Sequence, residues 1–219
     1  MGLVDHIRQT VPKDIVRELG PAGVACLLQL MADAYLDLRT TRFVQSDTSE
    51  DTITEEWFVY IQRRWRQKPA ISFIPVHQKQ DTAKSKARGK SPTVDVCFRD
   101  CFDNRSYFGA ECKLLDAGNR THLAAYLDDT KGIGRFVDGR YASNAGAGAM
   151  VGYVRSGTCD SVVTSLEHAI QRLSGKPKLT KSRPLRAFDQ IYESQHSRDC
   201  QVAEFLCYHL LLGFNCSAA

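Results

Sequence analysis

The chain has 219 residues, of which 43% are hydrophobic, 25% charged and 9% aromatic, with a formal net charge of +4. That length builds one ordinary domain whose core needs no disulfide or metal staple, and the composition excludes a disordered chain. The two most apolar runs, 21–38 and 202–216, are broken by charges and do not read as membrane spans.

The start of the chain carries no secretory pattern, and His6 stands where a myristoylation signal wants Ser or Thr. Its eight cysteines include no C-x-x-C pair. A cytoplasmic protein with reduced thiols is therefore expected.

In chain order, "TVPKDIVRELG" predicts a short helix that starts near Pro12 and stops at Gly20. "PAGVACLLQLMADAYLDL" predicts a second helix, with Val24, Leu27, Leu28, Met31, Tyr35 and Leu38 at helical spacing. A third covers about 50–66, with Ile53, Trp57, Ile61 and Trp65 on one side and a capping-box pattern at Thr52 and Glu55. Pro69 and Pro75 end that pattern, and 77–91 reads as a basic loop.

"PTVDVCF" and "SYFGAECKLL" read as strands joined by a turn at Asp103, Asn104 and Arg105. A helix over "THLAAYLDDTKGIGRFVDG" stops and restarts near Gly132 and Gly134, and "GAGAMVGYV" is a strand whose small residues imply close packing. "CDSVVTSLEHAIQRLSG" is a further helix, 176–186 a second basic loop, and "RDCQVAEFLCYHLLLGF" a largely buried final helix containing His209 as a satisfied core histidine. The order of elements predicts an α/β domain with a central mixed sheet flanked by helices. Residues 1–44 form an N-terminal helical segment and 45–219 the main unit.

The chemistry concentrates in the two paired strands. Side chains two apart on a strand share a face, so Glu111 and Lys113 point one way while Ala110, Cys112 and Leu114 point the other. Asp95 lies on the preceding strand, and the register decides whether it meets them. Two carboxylates brought together repel unless a cation separates them. Mg²⁺ takes oxygen ligands and keeps several waters, and a neighbouring ammonium suits charge developing on a phosphate. The competing reading is an amphipathic hairpin whose solvent face carries the three charges.

The run Pro92-Thr93-Val94-Asp95, fifteen residues, then Glu111-Cys112-Lys113 resembles the PD-(D/E)XK nuclease superfamily with its restriction-endonuclease-like fold. The likeness covers roughly residues 45–155, although two residues separate Pro92 from Asp95 where the plainest form of the motif has none. It implies a metal-dependent endonuclease cutting DNA. Asp95 and Glu111 would hold Mg²⁺ or Mn²⁺, Lys113 would assist the attacking water or the transition state, and an acidic residue would join from the preceding helix, Glu50 ahead of Glu56.

Candidate contacts to the nucleic-acid backbone are Lys84, Lys86, Arg88 and Lys90 in the first basic loop, Arg135 and Arg140 after the broken helix, and His196 and Arg198 before the final one. The absence of interleaved aromatics in the basic loop favours duplex over single-stranded DNA. The same resemblance implies an effector of a prokaryotic antiviral defence system with an ATPase or sensor partner, and a one-sided cutter that breaks both strands needs two copies, so a homo-oligomer or a place in a larger complex is expected. The alternatives are a non-enzymatic DNA- or protein-binding subunit and an RNA-directed nuclease. A zinc site or a cysteine nucleophile finds no supporting pattern.

Overall fold

The computed structural model describes residues 15–68, 73–80, 93–99, 107–198, 202–214 and 216. It is an α/β protein. Helix α1 spans Ile15–Thr40 and α2 Glu50–Arg66; strands β1, β2 and β3 span Ile74–Gln80, Thr93–Arg99 and Tyr107–Leu114. Helices α3 (Arg120–Leu127) and α4 (Gly134–Val137) lead to β4 (Ala147–Val154), which is followed by α5 (Cys159–Ile170) and by β5 (Thr180–Lys181), β6 (Ile191–Ser197) and β7 (Glu204–Gly213). Gly20 interrupts α1 with φ 59° and ψ −178°, so the predicted stop is a kink between two helical stretches. The N-cap of α2 is Ser49, whose hydroxyl accepts the Thr52 N–H, one turn earlier than the Thr52 box predicts, and Glu50 therefore heads the helix.

Seven strands form one mixed sheet in the order β1-β2-β3-β4-β7-β6-β5. The three central strands β3, β4 and β7 run parallel, and antiparallel pairs complete both flanks. Helices cover both faces, as parallel strands require. On one face α1 and α2 bury Leu27, Met31, Leu38, Ile53, Trp57 and Ile61 against Val96, Phe108, Val151 and Leu210. On the other, Tyr126, Phe136, Val162 and Leu166 meet Met150, Phe205 and Leu211.

Every residue of β4 is buried, and its glycines have the predicted reason. A Cβ on Gly148 would lie 3.0 Å from the Gly109 carbonyl and from the Phe136 and Phe205 rings.

The predicted final helix is a strand. Residues 204–213 form β7 in the middle of the sheet, and "IYESQHS" before it forms β6. Both faces of β7 are covered, Leu210 and Leu212 lying in one core and Phe205, Cys207 and Leu211 in the other. A strand buried on both faces shows no alternation, and a leucine-rich run without β-branched residues then reads as helix. The predicted 77–91 loop also begins too early, since β1 runs on to Gln80; residues 81–92 and the 103–105 turn lie outside the described residues.

These strands overturn the expected roles of His196 and Arg198, because residues 204–213, the body of the helix whose end was to hold an anion, form a strand. Arg198 is 6% exposed and donates from Nε to the Val202 carbonyl and from its two terminal nitrogens to the carbonyls of Phe136, Ala142 and Ala145. It also stacks 4.6 Å over Phe205, and so pins the 136–145 segment to the sheet.

His196 is buried in a row of polar groups with Ser194, His209 and Tyr126. His209 is the satisfied core histidine the sequence suggests.

Burial pushes His196 down from 6.5 to about 4 and His209 to about 3, so both rings stay neutral in the fold. The unfolded chain binds these protons first, so stability is full above pH 6.5 and drains away as pH falls toward 4 and then 3. His209→Leu is expected to cost roughly 1–3 kcal/mol at pH 7, by stranding Ser194 and Tyr126. It should also flatten the loss of urea midpoint between pH 6.5 and 4, which a denaturation series on both proteins measures.

Candidate active site

The site forms where β2 parts from β3. Their register runs from Arg99↔Tyr107 to Val96↔Ala110 and stops there. Continued, it would set Val94 opposite Cys112; instead the Cys112 N–H donates to Asp95 Oδ2 at 2.8 Å. An otherwise orphaned backbone donor is thus satisfied by a side chain.

β2 rolls over at the same point, since Val94 packs in one core and Val96 in the other. On the far side of β2 the pairing also skips Asp95, passing from His77↔Val96 to Lys79↔Val94, and the intervening Gln78 has φ 50°. Both neighbouring ladders give way at Asp95.

β3 carries Glu111, 3% exposed, and Lys113. The Lys113 ammonium lies 3.0 Å from Glu111 Oε1 and 3.0 Å from Glu50 Oε1, and donates to the Cys112 carbonyl at 2.7 Å. Glu50 uses its other oxygen to accept the Leu114 N–H at 2.9 Å, beyond the point where β2 could supply a partner. Its position at the head of α2 brings it there, while Glu55 is exposed and Glu56 only partly covered. The structure therefore brings together Asp95, Glu111, Lys113 and Glu50, the four groups expected from the sequence.

Negative charge exceeds positive in this pocket. Burial, then the nearby Asp95 charge, pushes Glu111 up to about 8, with Lys113 and Arg135 opposing the rise. Burial also raises Asp95 against the pull of Lys113 and the Cys112 N–H. For Lys113, burial favours the neutral amine, but Glu111, Asp95 and Glu50 outweigh it and hold the ammonium above its ordinary range.

Glu111 Oε2 is buried with no hydrogen-bond partner. An orphaned carboxylate oxygen beside a second carboxylate fits a hard divalent cation that takes one or two carboxylates and keeps its waters. Among the described residues no three His, Cys, Asp or Glu side chains converge as a closed metal cage, and Glu50 is turned away to Lys113 and Leu114. The fit is that of an open site held by Asp95 and Glu111.

Arg135 reaches this pocket. Its Nη1 lies 3.8 Å from Glu111 Oε1 and also donates to the Tyr141 hydroxyl, while Nε donates to the Thr130 carbonyl at 2.6 Å. Tyr141, which the sequence reading passes over, donates in turn to the Thr93 carbonyl at the start of β2. Only its place next to Arg140 could have drawn attention to it.

Arg140 is not brought to the site. Its guanidinium is engaged by Asp138 and by the Asp129 carbonyl within its own loop. Lys84, Lys86, Arg88 and Lys90 lie outside the described residues, and no described helix is long and apolar enough to cross a membrane. Comparison of the chain with protein families, with curated proteins and with solved structures finds no match.

The raised Glu111 carboxyl has a consequence for stability in metal-free solution. The folded state keeps its proton up to about pH 8 while the unfolded carboxyl releases it near 4.5. Stability from this group is therefore full below 4.5 and is lost as pH rises toward 8. Glu111→Gln is expected to remove that loss and gain roughly 1–3 kcal/mol at pH 8 over wild type. Chemical denaturation in EDTA at pH 5 and pH 8 measures it.

Proposed function

We propose that the protein is a metal-dependent endonuclease that hydrolyses DNA phosphodiester bonds on a restriction-endonuclease-like core. The observation that carries this reading is the convergence of Asp95, Glu111 and Lys113 on one buried point, with a carboxylate oxygen of Glu111 left without a partner. A mere amphipathic hairpin would leave these charges in solvent, whereas Glu111 is 3% exposed and is costly to bury without a partner.

A divalent cation such as Mg²⁺ or Mn²⁺, held by Asp95 and Glu111, supplies Lewis-acid stabilisation of the charge developing on a phosphate. Lys113, fixed by Glu50 and the Cys112 carbonyl, keeps its ammonium beside the same point and orients the attacking water or meets the transition-state charge. Glu50 acts as the positioning group for Lys113. Arg135, tied to Tyr141 and Thr130, offers a second cation to the nucleic-acid backbone.

The basic segment containing Lys84, Lys86, Arg88 and Lys90 supports duplex DNA as substrate through phosphate contacts. A single site cuts one strand, so a double-strand break calls for two copies or for a partner that presents the second strand.

Incubation with supercoiled plasmid in Mg²⁺, Mn²⁺ or EDTA tests the reading, with an RNA of matched length as the parallel substrate. Cleavage is expected with metal, to vanish in EDTA, and to fall by about 10²–10³-fold or more in Lys113→Ala. Asp95→Asn should in addition weaken Mg²⁺ binding in calorimetry. Metal affinity that is undetectable in wild type and in Asp95→Asn alike, together with intact plasmid, would overturn the enzyme in favour of a binding subunit.

A further inference from the structure

On the sheet face away from α1 and α2, the chain buries four polar side chains in a row. Tyr126 Oη lies 3.0 Å from His209 Nδ1, His209 Nε2 lies 2.8 Å from Ser194 Oγ, and Ser194 Oγ lies 2.7 Å from His196 Nε2. Four such groups in a core cost stability unless each is satisfied. Ser194 is 1% exposed beneath His196, so it is no accessible nucleophile.

His196 is where the row ends, and it lines a cavity of about 160 Å³ walled by Ile133, Val137 and Leu173, with Asp129 and Asp138 exposed at the rim. Packing fixes the wall: a Cβ on Gly132 would strike the Tyr126 carbonyl, and one on Gly134 the Asp129 backbone.

Counting protons gives the row a direction. Each neutral imidazole has one N–H and one acceptor nitrogen, and burial keeps both rings neutral. In one direction His196 donates to Ser194, Ser194 to His209 and His209 to Tyr126, and the phenol hydrogen is left over. Tyr126 is fully buried and has no other hydrogen-bond partner among the described residues, so this direction strands a donor in the core.

In the other direction Tyr126 donates to His209 Nδ1, His209 Nε2–H to Ser194, and Ser194 to His196 Nε2. The one donor left over is then His196 Nδ1–H. It too lacks an acceptor among the described residues, but it belongs to the residue that lines the cavity.

The cavity thus has among its lining a residue with a donor to spare, His196, together with apolar Ile133, Val137 and Leu173, the exposed carboxylates of Asp129 and Asp138, and the exposed Ser174. Arg140 occupies Asp138, which leaves Asp129 to accept from a ligand. We propose that it binds a planar cyclic amide, a ring with C=O beside N–H, the class that includes the pyrimidine bases. The ring carbonyl accepts from His196, the ring lies between Val137 and Leu173, and the N–H turns toward Asp129. A single six-membered ring suits the volume, since cavities of about 150 Å³ take benzene, and the rim carboxylates turn anions away. Another residue of the same short helix, Arg135, touches Glu111, so a base held here would belong either to a nucleic acid at the candidate active site or to a free nucleoside.

The test needs neither metal nor cleavage, so it stands whether or not the nuclease reading does. Calorimetric titration of the metal-free protein with 2-pyridone should show binding, with N-methyl-2-pyridone about tenfold weaker for want of the N–H and benzoate not bound. Val137→Trp, checked for an unchanged melting temperature, should abolish binding by filling the cavity.

Long-range ¹⁵N–¹H spectra should place the His196 proton on Nδ1 and the His209 proton on Nε2. Thymidine and a short oligothymidylate distinguish the two sources. Tighter binding of the oligomer, lost in Val137→Trp, assigns the base to nucleic acid, and equal affinity assigns it to a free nucleoside. A His196 proton found on Nε2, equal binding of the two pyridones, no binding of 2-pyridone, or binding that survives Val137→Trp would each overturn the proposal.

Discussion

The hydrogen bond from the Cys112 N–H to Asp95 is the constraint on which the candidate site depends. A β-ladder interior normally has no room for a carboxylate, because the facing strand already satisfies each backbone group. Here β2 leaves β3 at Asp95, and the side chain takes over the task the backbone gives up. The same departure leaves the Leu114 N–H for Glu50 and opens the space in which Glu111 and Lys113 face each other. One break in pairing therefore creates the opening and recruits two of the acidic groups that border it.

Around that opening the helices act as a frame. α2 contributes its first residue because Ser49 caps it one turn before the buried face begins. The 128–146 segment contributes Arg135 and Tyr141, and it stays in place because Arg198 gathers carbonyls along it. Neither Ser49 nor Arg198 touches the acidic cluster, yet both decide what can approach it. Buried charges need such fixed surroundings, since in a mobile frame water would enter and the raised Glu111 carboxyl would relax toward 4.5.

Much of this was legible in the sequence and some was not, for physical reasons. Asp95, Glu111 and Lys113 declared themselves because charges within strand-like apolar runs are anomalous, and Glu50 because helical periodicity carried it to the buried side. The α/β class follows from the order of elements, and the close packing of β4 from Gly148, Gly152 and their small neighbours.

The last two strands escape the sequence reading because β7 is apolar on both faces, so the period that separates helix from strand is erased. That one error also misplaced His196 and Arg198, whose expected roles rested on a helix end. Tyr141 left no trace in the pattern, since its importance comes from contacts with Thr93 and Arg135, and Thr93 lies far from it along the chain.

The sheet order carries a further implication for how the molecule comes into being. β4, at the centre, pairs on one side with β3 and on the other with β7, which lies some fifty residues further along the chain. A nascent chain that has emerged only as far as β4 has the acidic cluster but not the strand that covers the other edge of its parallel core. Pairings between such distant segments form late. The contacts of Lys113 with Glu111 and Glu50 come from β3 and α2, which precede β4, whereas β7 supplies only the far side of the parallel core. The parallel core beside the candidate site is therefore closed only when β7 docks against β4, late in folding.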